Sequence, residues 1–299
     1  MKCTVANLLQ PQAVMALCDS LAGPLLAQPV PQDTTALAGG AERYAVARGV
    51  AVVPVRGILS ANSGFADWFG WATYHGLADT CAQIGAAEDV AAVVLELDSP
   101  GGYVTGIQAA AEAIASLAAL KPVTALINPL AASAAYWLAC QASEVVMTPG
   151  ASAGSIGTAL MTGSYVQPGG NGMQVVEMAS SHARAKRPDA TTEAGRAELQ
   201  RGLDVAEAEF HAAVASGRGI AVADLLTALS VTEDPRDGGA VFGPAEAVAR
   251  GLADRIETRA ACYDRIFAAH APQPRTPSRA SLGGGYAARA AAAQALAAL

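Results

Sequence analysis

The 299-residue sequence predicts an α/β protein: stacked parallel βαβ units followed by a helical C-terminal part. Three observations carry that class. Residues 90–97 (Val90 to Leu97) are a near-continuous apolar run, the pattern of a strand buried on both faces of a parallel sheet. Strand-like and helix-like segments alternate from residue 46 to residue 147, which is the order of βαβ units. The helix-like segments keep their apolar residues at three- and four-residue spacing, as Leu77, Cys81 and Ile84 do.

Taken in order, residues 1–45 read as a weakly patterned arm that ends in a linker at Pro29, Pro31 and Gly39-Gly40. Residues 46–260 form the main domain. Its first strand spans 46–59 and is rich in valine, and its first helix spans 65–87. The 90–97 strand leads to an Ala-rich helix over 103–119, stopped at Lys121-Pro122. A strand over 122–127, a helix over 132–141 and a short strand at Val145-Val146-Met147 follow. Residues 161–189 are a polar excursion. Helices are predicted over 191–218, 220–229 and 244–251. Residues 261–299 read as a low-complexity tail rich in Ala, Pro and Arg, disordered or a lone helix.

Composition narrows the function. The net charge of −7 argues against nucleic acid as a partner. Five scattered cysteines with no CxxC, and four histidines without ligand spacing, suggest neither a disulfide framework nor a metal site. No apolar run reaches the roughly 18 residues of a membrane span. No membrane anchor or signal peptide is read at the N-terminus, so a cytoplasmic protein is expected.

Two segments fall at the carboxyl ends of strands, where sites form in such folds. Asp98-Ser99-Pro100-Gly101-Gly102 reads as a turn of free amides. Preorganised amides stabilise a developing oxyanion by roughly 3–4 kcal/mol per donor. Taken alone, the pentapeptide also fits a plain strand-to-helix turn. Ser133, flanked by Ala132 and Ala134, opens an apolar helix. A serine there is most often an N-cap. Its own amide and that of Ala134 are also free at a helix N-terminus, whose dipole favours a nucleophile. A serine nucleophile needs a base. Of 19 Lys and Arg, only Lys2, Lys121 and Lys186 are lysines. Lys2 is in the arm and Lys121 ends a helix. Lys186 and His182 share the polar excursion, where Arg184-Ala185-Lys186-Arg187 equally fits a solvated basic cluster. The small-residue loop from Pro149 to Gly157 follows the short strand at Val145-Val146-Met147. Within it, Ser155 reads either as a turn residue or as a hydrogen-bond partner of a neutral lysine.

Together these segments resemble the signal peptide peptidase A family of Ser/Lys-dyad serine peptidases. The resemblance rests on Asp98-Ser99-Pro100-Gly101-Gly102, Ala132-Ser133-Ala134-Ala135-Tyr136, Gly154-Ser155-Ile156-Gly157 and a lysine some fifty residues after the serine. It extends to Val241-Phe242-Gly243-Pro244-Ala245-Glu246-Ala247 and Gly251-Leu252-Ala253-Asp254 and covers about residues 46–260. It implies a Clp protease/crotonase-like fold, Ser133 as nucleophile and Lys186 as general base. The Gly102 and Ala134 amides would form the oxyanion hole, with Gly101 and Ser155 in support and no cofactor or metal. The Lys186-Arg187-Pro188-Asp189 form is similar to phage and prophage members. That implies a homo-oligomeric capsid-maturation protease acting on protein substrates such as scaffold and portal proteins, in the host cytoplasm or prohead interior. Many members have a Gly-rich segment around the base, which is absent here, so the register of Lys186 rests on spacing. Rival expectations are a quality-control peptidase, a crotonase-like acyl-CoA enzyme and a non-catalytic capsid assembly factor.

Overall fold

The computed structural model describes residues 4–5, 13–29, 43–62, 66, 69–160, 162 and 179–270. Parts of the 1–45 arm, most of the first half of the 161–189 excursion and the 271–299 tail lie outside the described residues.

A mixed sheet organises the chain. Strands β1 (Met15–Leu17), β2 (Ala45–Ala47), β3 (Val50–Leu59), β4 (Ala92–Tyr103), β5 (Val123–Ala132), β6 (Glu144–Met147), β7 (Ser152–Gly154), β8 (Val241–Phe242) and β9 (Arg255–Ile256) belong to it. Its main path runs β2-β3-β4-β5-β6-β9. The pairs β3–β4, β4–β5 and β5–β6 are parallel, as the alternating pattern predicts, and β9, which the pattern does not predict, also pairs parallel with β6. Among the described residues the helices are α1 (Asp19–Leu26), α2 (Tyr74–Ala86), α3 (Ile107–Leu120), α4 (Ala134–Ala139), α5 (Glu193–Arg218), α6 (Val222–Leu229), α7 (Pro244–Ala249) and α8 (Arg259–His270).

Side chains alternate across a strand, and β4 shows why its run is apolar throughout. Val93, Leu95 and Leu97 enter the main core with Leu77, Ile84, Ile107 and Ile114 of α2 and α3. Ala92 and Val94 point the other way and pack with Val50, Leu126, Val146, Cys262 and Ile266. Each such fully buried aliphatic side chain contributes about 1.5–3 kcal/mol. The second cluster also corrects the expected tail. Residues 261–270 are not low-complexity chain but most of α8, which covers the outer face of the sheet.

The strand expected over 46–59 is a hairpin. Arg48 and Gly49 both take positive φ, 52° and 77°, and β2 folds back antiparallel on β3. Two such residues make the tight turn whose twist suits a hairpin. An Arg-Gly pair is a weak sequence signal for it, because only the glycine adopts that conformation freely. The arm contributes more than a linker, since β1 pairs antiparallel with the end of β4.

Two irregularities aim the site. The β3–β4 register shifts between Arg56 and Ile58, and the β4–β5 register shifts between Leu97 and Asp98. Beyond these points β5 leaves β6 and pairs instead with β7. The ends of β4 and β5 thereby depart together from the main sheet.

Candidate active site

Asp98-Ser99-Pro100-Gly101-Gly102 lies inside β4, not in a turn after it. Its extended path is held by Ser99, whose Oγ donates to the Gly57 carbonyl at 2.6 Å and accepts the Gly101 amide at 3.1 Å. Glycine is required here by close approach. A Cβ on Gly102 would stand 2.0 Å from the Leu59 carbonyl oxygen. At Gly101, φ is 104° and a Cβ would meet the Ala16 carbonyl oxygen at 2.1 Å.

Ser133 is the single residue between the end of β5 and the start of α4. One residue must reverse the chain, and its backbone carries the strain, with φ 57° and ψ −123°. A non-glycine residue in such a region costs about 1–3 kcal/mol and persists only where its surroundings impose it. A serine on a sharp strand-to-helix turn has its hydroxyl presented at the sheet's edge. Ser133 is 1% exposed and makes no side-chain capping bond, so the N-cap reading fails. The expectation of a free Ser133 amide fails too, because that amide donates to the Gly154 carbonyl at 2.7 Å. The Ala134 amide heads α4, where first-turn amides have no intrahelical acceptor.

The helix behind Ser133 is fixed from several sides. The Tyr136 hydroxyl donates to the Leu252 carbonyl at 2.7 Å. Trp137 stacks on Phe210 of α5 with centroids 4.5 Å apart. Arg218 grips Asp254 through two bonds, and Asp254 accepts the Val145 amide at 2.7 Å. The closing motif seen in the sequence, Gly251-Leu252-Ala253-Asp254, is therefore a brace for the serine helix and for β6.

A cavity of about 590 Å³ opens beside Ser133. Leu17, Ser155, Glu207, His211 and Leu229 share its lining with the serine. Ser155, with φ 52°, donates its amide to the Ala240 carbonyl at 2.7 Å. Glu207 and His211 lie four residues apart on α5 and enter as a pair. Burial pushes the His211 imidazole below its ordinary value, and the Glu207 charge draws it partly back. His211 falls within the helix predicted over 191–218. Its spacing from Glu207 places the two on one helix face, but which face meets the serine depends on how α5 packs.

Lys186 ends a short 3-10 turn, Arg184–Lys186, and is exposed. It lies outside the residues lining the cavity. His182, in the preceding turn, is exposed as well. The structure thus brings Gly101, Gly102, Ser133, Ala134 and Ser155 into one neighbourhood and leaves Lys186 on the surface. Among the described residues no group of three or more His, Cys, Asp or Glu side chains could hold a metal ion. No single helix among them is long and apolar enough to cross a membrane.

On this α/β scaffold the ends of two parallel strands bring a glycine pair and a strained, buried serine together. Residues 115–270 match peptidase family S49, and the chain belongs to that family. It is 29% identical over 253 residues to capsid assembly protease C of Escherichia phage lambda, covering 81% of this chain and 56% of that protein. It is 32% identical over 227 residues to head-tail preconnector protein GP5 of Enterobacteria phage P21, covering 74% of this chain and 44% of that protein. The chain spans about half the length of these relatives. Among solved structures, an enoyl-CoA hydratase from Mycobacterium avium subsp. paratuberculosis aligns over 77% of this chain and 78% of that one. The identity is 16% and the TM-score 0.43.

Proposed function

We propose that this chain is a serine endopeptidase of phage capsid maturation, hydrolysing peptide bonds through an acyl-enzyme on Ser133. The observation that carries the reading is Ser133 itself, buried, strained, without a capping bond, lining a cavity and packed against Gly101. Membership of family S49 and similarity to a phage capsid assembly protease and a head-tail preconnector protein support it. Proteins of the assembling capsid, scaffold and portal among them, are the proposed substrates.

In the proposed reaction Ser133 Oγ attacks the substrate carbonyl and gives up its proton to the base. The Gly102 and Ala134 amides hold the oxyanion, and the leaving amine takes the proton back. Water then attacks the ester by the same route and releases the acid. Lys186 is the proposed base. An amine acts as a base at moderate pH only in a dry environment. An exposed turn acquires one when a second copy covers it, so the dyad is proposed to close across subunits of a homo-oligomer. Hydrolysis should then depend on protein concentration and rise toward alkaline pH.

A second reading of the base is favoured by one observation: His211 shares the cavity with Ser133 within one chain. Two variants separate them. Lys186→Ala should abolish hydrolysis of a small-residue or apolar peptide while His211→Ala retains it. The opposite pattern assigns the base to His211. Ser133→Ala should abolish turnover in either case, and retained turnover overturns the nucleophile.

A further inference from the structure

The cleft between Gly101-Gly102 and the loop after β7 already contains a peptide strand, and the strand is the chain's own. In β1, Met15 lies opposite Tyr103, Ala16 opposite Gly102 and Leu17 opposite Gly101. The Val104 amide donates to the Val14 carbonyl at 3.2 Å, and the Cys18 amide donates to the Pro100 carbonyl at 2.8 Å. On the other edge Met15 and Ala159 exchange both backbone bonds, at 3.0 and 2.9 Å. The segment is clamped from both sides, as an added strand is.

Its register is the telling part. Hydrogen-bonded positions alternate along an antiparallel pair. With 14·104 and 18·100 bonded, the position midway, Ala16·Gly102, is bonded too. That directs the Gly102 amide, the proposed oxyanion donor, at the Ala16 carbonyl. The same carbonyl oxygen lies 2.1 Å, and Ser133 Cβ 2.9 Å, from the point where a Cβ on Gly101 would stand. The two atoms are therefore no further apart than the sum of those distances. Leu17, the next residue, lines the cavity with Ser133. An ordinary edge strand would cover an edge where nothing reacts. This one sets a carbonyl against the oxyanion donor and beside the nucleophile.

We propose that residues 14–18 are a tethered occupant of the peptide-binding cleft, holding the site closed until a substrate strand displaces them. The proposal rests on the reading of Ser133 given above, and it adds the form of the substrate. An entering peptide is extended and antiparallel to residues 101–103. It carries a small residue opposite Gly102, where Ala16 is fully buried, and an apolar residue opposite Gly101, where Leu17 sits. The tether is held by packing: Leu17 and Ala22 are buried with Ile58, Ala66 and Trp71 in a cluster separate from the main core. Each ladder bond adds about 0.5–1.5 kcal/mol. A tethered competitor acts at an effective concentration on the order of millimolar, so free peptides compete poorly.

The test uses the full-length chain carrying Ser133→Ala, which removes turnover, with and without Ala16→Pro. Proline deletes the Ala16 amide from the ladder. The probe is a fluorescein-labelled peptide with the sequence of residues 13–20, read by anisotropy. Ala16→Pro should tighten its binding about tenfold or more, and hydrogen exchange should show residues 14–18 deprotected. Equal affinity with residues 14–18 deprotected overturns the proposal. Should proline leave them protected, Leu17→Asp, which puts a charge into the apolar cluster, serves as the second variant under the same criterion. In the chain that keeps Ser133, Ala16→Pro should lower KM for the same peptide. Tighter binding without any hydrolysis keeps the occluded cleft and removes the peptidase reading instead. A Ser133-dependent cut between Ala16 and Leu17, found by mass spectrometry, makes the segment a substrate and overturns its role as a lasting occupant.

Discussion

Glu96 on β4 and Ser133 just past the end of the adjoining β5 are both buried polar groups, 5% and 1% exposed, and they are treated in opposite ways. Glu96 faces α8 and receives Arg259 Nε at 2.6 Å, Arg259 Nη2 at 3.0 Å, Asn128 Nδ2 at 3.1 Å and the Tyr263 hydroxyl at 3.1 Å. Burial alone would raise its carboxyl, but the bonds from Arg259 and Asn128 and the Arg259 charge hold it below the usual range. Ser133 has a strained backbone and no capping bond. A buried charge with its bonds made serves the fold. A buried hydroxyl held under strain beside a cavity is available for chemistry.

The comparison can be broken by moving each group to the other's role. The largest effect is expected from Ser133→Ala, which should lower peptide hydrolysis by at least about a thousandfold while the melting temperature holds, because alanine keeps the same strained backbone and no capping bond is lost. A marked loss of stability would put Ser133 in the same class as Glu96. Gly102→Ala should damage both properties. Its Cβ would meet the Leu59 backbone at 2.0 Å, so about 1–3 kcal/mol of stability should go with the activity. Glu96→Ala should cost about 1–3 kcal/mol by denaturant titration and leave kcat of the folded protein unchanged. A fall in kcat would mean that the two ends of the sheet are coupled.

Acid sharpens the contrast further. The folded Glu96 carboxyl titrates below its unfolded value, so its stabilisation is complete above about pH 4.3. It is lost as pH falls through the lower folded value. Stability measured from pH 5 to pH 2 should drop less steeply in Glu96→Ala than in the parent chain. The smallest effect is expected from Arg259→Ala. Its side chain is 55% exposed, and a solvent-screened partner contributes about 1 kcal/mol or less.

Much of this was legible in the sequence where a local pattern had a local cause. The apolar run in β4, the parallel order of the strands, and the placing of Ser133 and the glycine pair at strand ends all follow from periodicity and residue type. What escaped depends on distant partners. The three residues of β1 have no pattern of their own and become a strand only against Gly101 to Tyr103. Residues 261–270 look like the Ala-rich tail beyond them, and only Cys262 and Ile266, packed under Val50 and Val146, distinguish them. Arg48-Gly49 turns the chain in what reads as one valine-rich strand. Glu207 and His211 reach the cavity through the packing of α5, which no spacing rule specifies. Lys186 was found by scarcity, and scarcity says nothing about where a side chain comes to rest.

The bond from the Tyr136 hydroxyl to the Leu252 carbonyl spans 116 residues of sequence. During synthesis, which runs from the N-terminus, the helix behind Ser133 leaves the ribosome long before Leu252 does. Until then that helix lacks one of its anchors, and the serine lacks the support that imposes its strained geometry. Ser133 therefore gains that support only once the chain has been made as far as Leu252.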